Sequence, residues 1–349
     1  MGKAVFGFEI IKRVGGGHFS DVYQVNGIND EHFVFKVIDT DDERPPHNVR
    51  NEIKIMNKLR ENAGFDSIST DNINKKLELG ILKGYNKNVA VLHGVFYNQI
   101  EFGLCLDFYP INLDRLVKSY TKSKSIFGAD GQVSYVKKNL LSIEDSISIL
   151  KGILNGLSWI HSCGIIHRDV NPSNIMFQYK SQGELIDFSS ATIIDFGISY
   201  LLPNNNGLED SKLKFTDIAT GHYKAPELLL SKRDYNETVD IWAVGILMTL
   251  LGSDNGRVIF EEDAAMSDLV LLSNILKVFG SPSSQWEDCR DLKSFEAMNS
   301  TFFSKVPMAI SSVMPKFSKS EKLQMLFRGL TCYETKERWS ATKSFDFLL

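Results

Sequence analysis

The sequence predicts an α+β chain, with strands gathered in the amino-terminal part and long helices in the remainder. Three observations carry this. Residues 9–38 hold short strand-like runs, separated by glycines and by Asn26-Gly27, a hairpin signal. Ile143, Ile147, Leu150, Leu154, Leu157 and Ile160 fall on one face of a long helix. Between Ile165 and Gly197, two short apolar runs each deliver acidic or amide side chains to one end. With 349 residues the chain can bury a large core, as one large domain or two lobes.

Glu9–Val14 alternates as a strand, and Tyr23–Val25 is the next. Between them lies Val14-Gly15-Gly16-Gly17-His18-Phe19-Ser20-Asp21-Val22. A glycine-rich hairpin lets backbone amides approach a phosphate closely. Rossmann and Walker loops lead into a helix instead, so they fit poorly. Three glycines can also make a plain turn. His32–Ile38 reads as a strand with one lysine, Lys36, among apolar residues. Buried, it needs an anionic partner; at an edge, it snorkels to water.

Pro45-Pro46-His47-Asn48 opens a helix with prolines at its start. Val49, Ile53, Met56 and Leu59 repeat at helical spacing, with Glu52 near the edge of that face. Glu52 is either the partner of Lys36 or an ordinary solvated glutamate. Gly64–Asn88 reads as a loop insertion, and Val89–Val95 and Glu101–Phe108 as further strands.

Asn112–Ser119 is a short helix, and the lysine- and serine-rich stretch Tyr120–Leu141 an exposed insertion. Ser142-Ile143-Glu144-Asp145 makes a capping box for the long helix. Val239–Gly245 begins a helix apolar nearly all round, the pattern of a buried one.

In the central stretch, Asp169 and Asn174 lie in a loop leading to the strand Ile175–Phe177, and Asp195 ends the strand Thr192–Ile194. If those strands pair through the Gln178–Ser190 loop, Asn174 and Asp195 meet at one edge. Hard oxygen ligands of this kind suit Mg²⁺, which keeps some waters and draws other ligands from phosphate. Asp169 is left to accept a proton from an attacking hydroxyl.

The composition is ordinary, 43% hydrophobic and 23% charged, with a net charge of −4, so neither nucleic acid nor an anionic membrane is expected as a partner. Cys105, Cys163, Cys289 and Cys332 lack metal-ligand spacing, and Met1–Glu9 is too short and polar for a secretory signal. Reduced thiols in a cytoplasmic or nuclear protein are expected. The longest apolar stretch, Ile241–Leu251, falls short of the roughly 20 residues that span a bilayer.

His167-Arg168-Asp169, Asn174, Asp195-Phe196-Gly197 and Ala225-Pro226-Glu227 together resemble the signature of the eukaryotic protein kinases, in order and spacing. The resemblance implies a bilobal protein-kinase fold: one kinase domain with an antiparallel-sheet, nucleotide-binding small lobe over 1–108 and a mainly helical large lobe over 109–349. It implies ATP lying under Val14–Val22, with Ser20 where a third glycine is usual. It makes Lys36, paired with Glu52, the phosphate-holding lysine, and Asn174 and Asp195 the Mg²⁺ ligands. The backbone of Asp107 and Tyr109 would bond adenine, with Leu106 behind it and Val34 narrowing the slot. Asp169 becomes the catalytic aspartate. Asn171 stands where serine/threonine members carry a catalytic lysine, which implies a slower enzyme.

The same resemblance makes Leu201–Ala219 the activation segment, with Thr216 close to the usual phosphorylation position. Glu209 and Asp210, or Asp217, could supply a standing negative charge to Arg168, so phosphorylation is not expected to be required. Thr220 takes the place of a threonine bonded to the catalytic aspartate, Asp240 that of an aspartate bonded to the catalytic-loop backbone, and Arg338 that of a partner for Glu227. Lys224 replaces the arginine usual in proline-directed relatives. Pro45-Pro46-His47-Asn48, Thr220–Glu227 and the insertion before the long helix are similar to the monomeric fungal CDK-activating kinases. That narrower likeness implies a cyclin-dependent kinase as protein substrate and a monomer without a cyclin of its own. A cyclin-requiring kinase, or a non-catalytic scaffold suggested by Asn171, stays open.

Overall fold

The computed structural model describes residues 4–17, 20–26, 32–68, 82–127, 133–180, 185–202, 209–260, 267–283, 286–297 and 304–349. His18 and Phe19 of the glycine loop lie outside the described residues.

The amino-terminal part is a six-stranded antiparallel sheet. Its strands are β1 (Ala4–Val5), β2 (Phe8–Gly16), β3 (Asp21–Asn26), β4 (His32–Asp39), β5 (Leu92–Tyr97) and β6 (Glu101–Asp107), in the order β1-β2-β3-β4-β6-β5. Strand β4 shows why a lysine sits among its apolar residues. Phe33, Phe35 and Val37 point to one face and build a small core with Val25, Phe96 and Cys105. The period of two sends Val34, Lys36 and Ile38 to the other face, where Ile38 joins the main core. Register sets Lys36 opposite Leu104, Val34 opposite Leu106 and Phe33 opposite Asp107.

Helix α1 (Val49–Asn62) packs on that second face through Val49, Ile53, Met56 and Leu59. It starts later than the prolines suggest. The Asn48 side chain accepts from the amide of Asn51 at 2.8 Å, which fixes the first turn after Asn48. Pro45 and Pro46 lie in the turn ahead of it. Glu52 is not at the rim of the buried face but within it, 2% exposed.

The rest is mainly helical. It holds β7 (Ile111–Asn112), α2 (Leu113–Tyr120), β8 (Thr121–Phe127), β9 (Val133–Asn139), α3 (Ile143–Ser162), β10 (Ile165–Ile166), β11 (Ile175–Phe177), β12 (Thr192–Ile193), β13 (Tyr200–Leu201), α4 (Pro226–Leu229), α5 (Thr238–Gly252) and α6 (Asp268–Phe279). Further helices cover 293–296, 310–313, 321–330 and 341–348. This is the bilobal kinase architecture expected. Ser142 caps α3, accepting from the Asp145 amide at 2.9 Å. Every residue of α5 is buried, as its unbroken apolar pattern requires. One continuous core runs from α1 and β5 through α3 to α5.

Two further expectations are refined. Val89 is not in β5: it bridges to Ile193, and Ala90 donates to the Ile193 carbonyl at 2.9 Å, so this stretch docks on β12 before the sheet strand begins. The insertion after α2 is a regular antiparallel hairpin, β8 with β9.

Candidate active site

Strand pairing assembles the site from the loop outward. Ile175 pairs with Ile193 and Met176 with Thr192. The Ile194 amide donates to the Asn174 carbonyl at 3.0 Å, so Asn174 and Asp195 do reach one edge. Asn174 Nδ2 donates to Asp169 Oδ2 at 2.8 Å and to the Asp169 carbonyl at 2.9 Å. The amide nitrogen is thus spent on Asp169, and its oxygen is the atom chemically suited to a cation. Thr220 Oγ1 donates to Asp169 Oδ1 at 2.6 Å. Asp169 is therefore oriented through both oxygens.

Lys36 joins the lobes. Its Nζ lies 2.8 Å from Glu52 Oε1, 3.0 Å from Glu52 Oε2 and 2.7 Å from Asp195 Oδ1. Burial works against the lysine's charge, but the two carboxylates outweigh it and raise its pKa. Partial burial likewise opposes ionisation of Asp195, and the Lys36 charge and hydrogen bond outweigh it, holding the carboxyl down at about 2. Glu52 is pushed up by burial, with the lysine offsetting only part of that. All three belong to one charge cluster with a net charge of −1.

The backbone of Asp195 is left-handed, with φ 66°, and Gly197 donates its amide to Asp195 Oδ1 at 3.1 Å. A Cβ on Gly197 would also stand 3.1 Å from that oxygen, so glycine keeps the approach open. In the glycine loop, a Cβ on Gly16 would meet the Arg13 guanidinium at 2.3 Å and Asp21 Oδ1 at 2.8 Å. Arg13 Nε bonds Asp21 Oδ1 at 2.8 Å across the base of the loop. Gly15 pairs with Val22, Gly16 with Asp21, and Gly17 bonds the Ser20 carbonyl. Val14 through Gly17 and Ser20 through Val22 thus form the hairpin predicted, next to β4 and Lys36.

Asp107 and Tyr109 stand where β6 leaves the sheet. The Asp107 side chain is bound to His93 Nε2 at 2.7 Å, and Tyr109 Oη lies 3.5 Å from its other oxygen. Their side chains are thus occupied among themselves, and the backbone is the part left for a ligand.

Asn171 does not imitate a lysine. Its Oδ1 accepts from the Ser173 amide at 2.8 Å, capping the short helical turn Pro172–Asn174. Its Nδ2 donates to the Asp169 carbonyl at 3.2 Å and lies 3.4 Å from Thr220 Oγ1. It positions Asp169 and Thr220 and brings no charge.

Asp240, at the start of α5, accepts from the amides of His167 and Arg168, each at 2.8 Å, as the resemblance implied. His161 adds a contact of 2.9 Å to Asp240. Burial opposes ionisation of Asp240, and the His161 hydrogen bond leads the effects that lower its carboxyl. Arg338 and Glu227 form a buried two-point ion pair at 2.7 and 3.0 Å.

Of the three acids considered for Arg168, the structure selects Glu209. Both terminal guanidinium nitrogens meet its carboxylate at 3.0 Å, and the Phe215 amide donates to Glu209 Oε1 at 2.7 Å. Arg168 also lies over the Tyr200 ring at 4.7 Å and the Tyr235 ring at 5.6 Å. Asp217 lies instead 3.7 Å from Lys224, which bonds Asp268 at 2.8 Å. Tyr200, Tyr235, His161 and the bond from Asn51 Nδ2 to the Ser199 carbonyl were not anticipated. None has a local sequence signal, since each acts on a residue distant in the chain.

The protein kinase domain family matches residues 66–347, four-fifths of the chain. The chain belongs to the protein kinase family. That match starts beyond Lys36 and Glu52, so the geometry of the sheet supplies what the family match leaves out. Cyclin-dependent kinase 20 of Pongo abelii is 28% identical over 260 residues, covering 74% of this chain and 64% of that protein. The same protein of Homo sapiens is 30% identical over the same coverage. Serine/threonine-protein kinase CAK1 of Saccharomyces cerevisiae is 27% identical over 358 residues, covering 89% of this chain and 90% of that protein. The match therefore spans less than two-thirds of the length of these two cyclin-dependent kinases and nearly all of the yeast kinase. The chain sits in the CDK-related group of the kinases. Among the described residues, no helix is long and apolar enough to cross a membrane.

Proposed function

We propose that this protein is a serine/threonine protein kinase that transfers the γ-phosphoryl group of ATP to a threonine in the activation segment of a cyclin-dependent kinase. The observation that supports transfer most strongly is Lys36 bridging Glu52 and Asp195 while Asp169 is bonded to Thr220 and Asn174. That is the arrangement phosphoryl transfer needs, with the phosphate-holding lysine anchored and the base positioned.

Val14–Val22 covers the phosphates of ATP, and Lys36 grips them. Asp107 and Tyr109 offer backbone hydrogen bonds to adenine. Asn174 and Asp195 fit Mg²⁺ by donor chemistry: hard oxygens in a cluster of net negative charge. Bound there, Mg²⁺ neutralises phosphate charge. Asp169 takes the proton of the acceptor hydroxyl as its oxygen bonds to phosphorus, and the bond to the β-phosphate oxygen breaks to leave ADP. Because Thr220 already donates to Asp169 Oδ1 and Asn174 to Oδ2, the acceptor hydroxyl shares one of these oxygens or displaces the donor on it.

The substrate class rests on the likeness to the fungal CDK-activating kinases and on the similarity to the yeast kinase along most of both chains. The buried Glu209–Arg168 pair supports activity of the single chain without its own phosphorylation. The test is incubation of the purified chain with Mg·ATP and a cyclin-dependent kinase, followed by mass-spectrometric mapping of the modified residue. Phosphate on the activation-segment threonine, absent with Asp169→Asn, supports the reading. Phosphate on other proteins but never on that threonine would remove the substrate assignment and leave the kinase.

A further inference from the structure

The β8–β9 hairpin is an arm with a fixed root and an open blade. At the root, Asn139 is 4% exposed, and its Nδ2 donates to the carbonyls of Ser253 at 3.1 Å and Leu251 at 3.3 Å, at the end of α5. Its backbone amide bonds Asp254, and Thr121 Oγ1 bonds the Val117 carbonyl of α2 at 2.8 Å. Beyond the root, residues 122–125 and 133–138 are all exposed. Among the described residues the two strands pair only with each other, so each leaves one edge of N–H and C=O groups open there.

Its charges work against its own folding. Register sets Lys122 directly opposite Lys138, and Lys124 opposite Val136 on the same face. Like charges directly opposite destabilise a sheet. Lys137 lies on the other face beside Tyr135, itself 76% exposed. No acid lies in either strand, and among the described residues no carboxylate pairs with any of these lysines. A lone two-stranded hairpin is marginal in water, so repulsion built into it needs an outside counter-charge. The whole chain carries −4, which makes the basic arm a local exception.

We propose that this hairpin is a docking arm for an extended, acidic polypeptide segment of a partner protein. Open strand edges give an extended peptide main-chain hydrogen bonds. Lys122, Lys124 and Lys138 meet alternate carboxylates on one face, beside Val136, and Val133 and Tyr135 meet the intervening apolar side chains on the other. An extended nucleic acid strand has no matching backbone donors for an open edge, and the net negative chain repels it. Docking does not depend on phosphoryl transfer.

The test is fluorescence anisotropy of a short labelled peptide alternating glutamate and valine, titrated with the full chain. The wild type is expected to bind it, less tightly as salt rises. Paired Lys122→Glu and Lys138→Glu substitutions should weaken binding at least tenfold, and Lys122→Gln with Lys138→Gln by a smaller factor. Both sets are at exposed positions, and the glutamine pair, which removes the like-charge repulsion, should melt no lower than the wild type; it decides if the glutamate pair does not fold. A peptide with glutamine for glutamate should bind weakly, and so should one with proline at alternate positions, which removes edge donors. Asp169→Asn should bind as the wild type does, separating docking from catalysis. Equal affinity of wild type and both variant pairs would overturn the proposal. So would hairpin-dependent binding that favours a single-stranded oligonucleotide or phosphatidylserine vesicles over the acidic peptide.

Discussion

Glu209 fills the charge site of Arg168. The two side chains meet at two points, 3.0 Å each, with neither more than 3% exposed. Arg168 directly precedes Asp169, and its left-handed backbone, φ 71°, is held by Asp240. In kinases whose activation loop is ordered by phosphorylation, new pairs form between arginine and the phosphorylated residue. Here a carboxylate supplied by the chain already occupies that position, and the Phe215 amide ties the segment to it.

Glu209→Ala is expected to cost about 3–5 kcal/mol of local stability, because it strands a buried arginine, and to lower kcat at least tenfold as the activation segment loosens. Thr216→Ala should stay near wild-type activity without prior phosphorylation. Steady-state kinetics and thermal melting of both variants check this. Loss of most activity in Thr216→Ala would show that Glu209 is not sufficient.

The pH dependence of stability follows from Lys36 and Asp195. The Asp195 carboxyl is held down at about 2, against about 3.9 in an unfolded chain. A lowered carboxyl stabilises fully above the unfolded value, and that contribution fades as pH falls through the folded one. Asp195 therefore contributes a loss of stability between about pH 4 and pH 2. Lys36→Met removes the cation and should flatten that part of the curve. Urea midpoints across the window measure it; an unchanged slope would assign the shift to something other than Lys36.

Thr220→Val removes a 2.6 Å hydrogen bond to Asp169. Hydrogen bonds to charged groups are worth about 1.5–3 kcal/mol, so kcat should fall roughly ten- to a hundredfold with KM for ATP little changed. A rise in that KM alone would place Thr220 outside the proton-accepting arrangement.

Asn171 is a cap and a spacer. Asn171→Ala should lower stability by about 1 kcal/mol through loss of the bond to Ser173. Asn171→Lys should keep transfer and raise kcat, since it adds positive charge where the group in flight is negative. Measured rates for the two variants separate these effects, and a dead Asn171→Lys enzyme would contradict the assignment.

Much of this arrangement was legible in the residues. The apolar runs around Asp169 and Asp195 gave the strand pairing, and one lysine in an apolar strand flagged Lys36. Glu52 was placed at the rim because helical spacing marks only the narrowest stripe, whereas α1 is covered by both the sheet and the segment after Asp195. The choice of Glu209 over Asp210 and Asp217 depends on where the chain turns back on Tyr200 and Tyr235, residues with no local pattern. The hairpin after α2 was hidden by its lysines and serines, which read as solvated loop until register shows them facing one another.

The most direct test is label transfer from γ-labelled ATP by the purified single chain, with magnesium and no cyclin. Labelled phosphothreonine in an added protein is expected from the wild type, with none from Asp169→Asn and far less from Lys36→Met. Labelling that persists in Asp169→Asn, or a wild type that binds nucleotide yet labels no protein, would contradict the account.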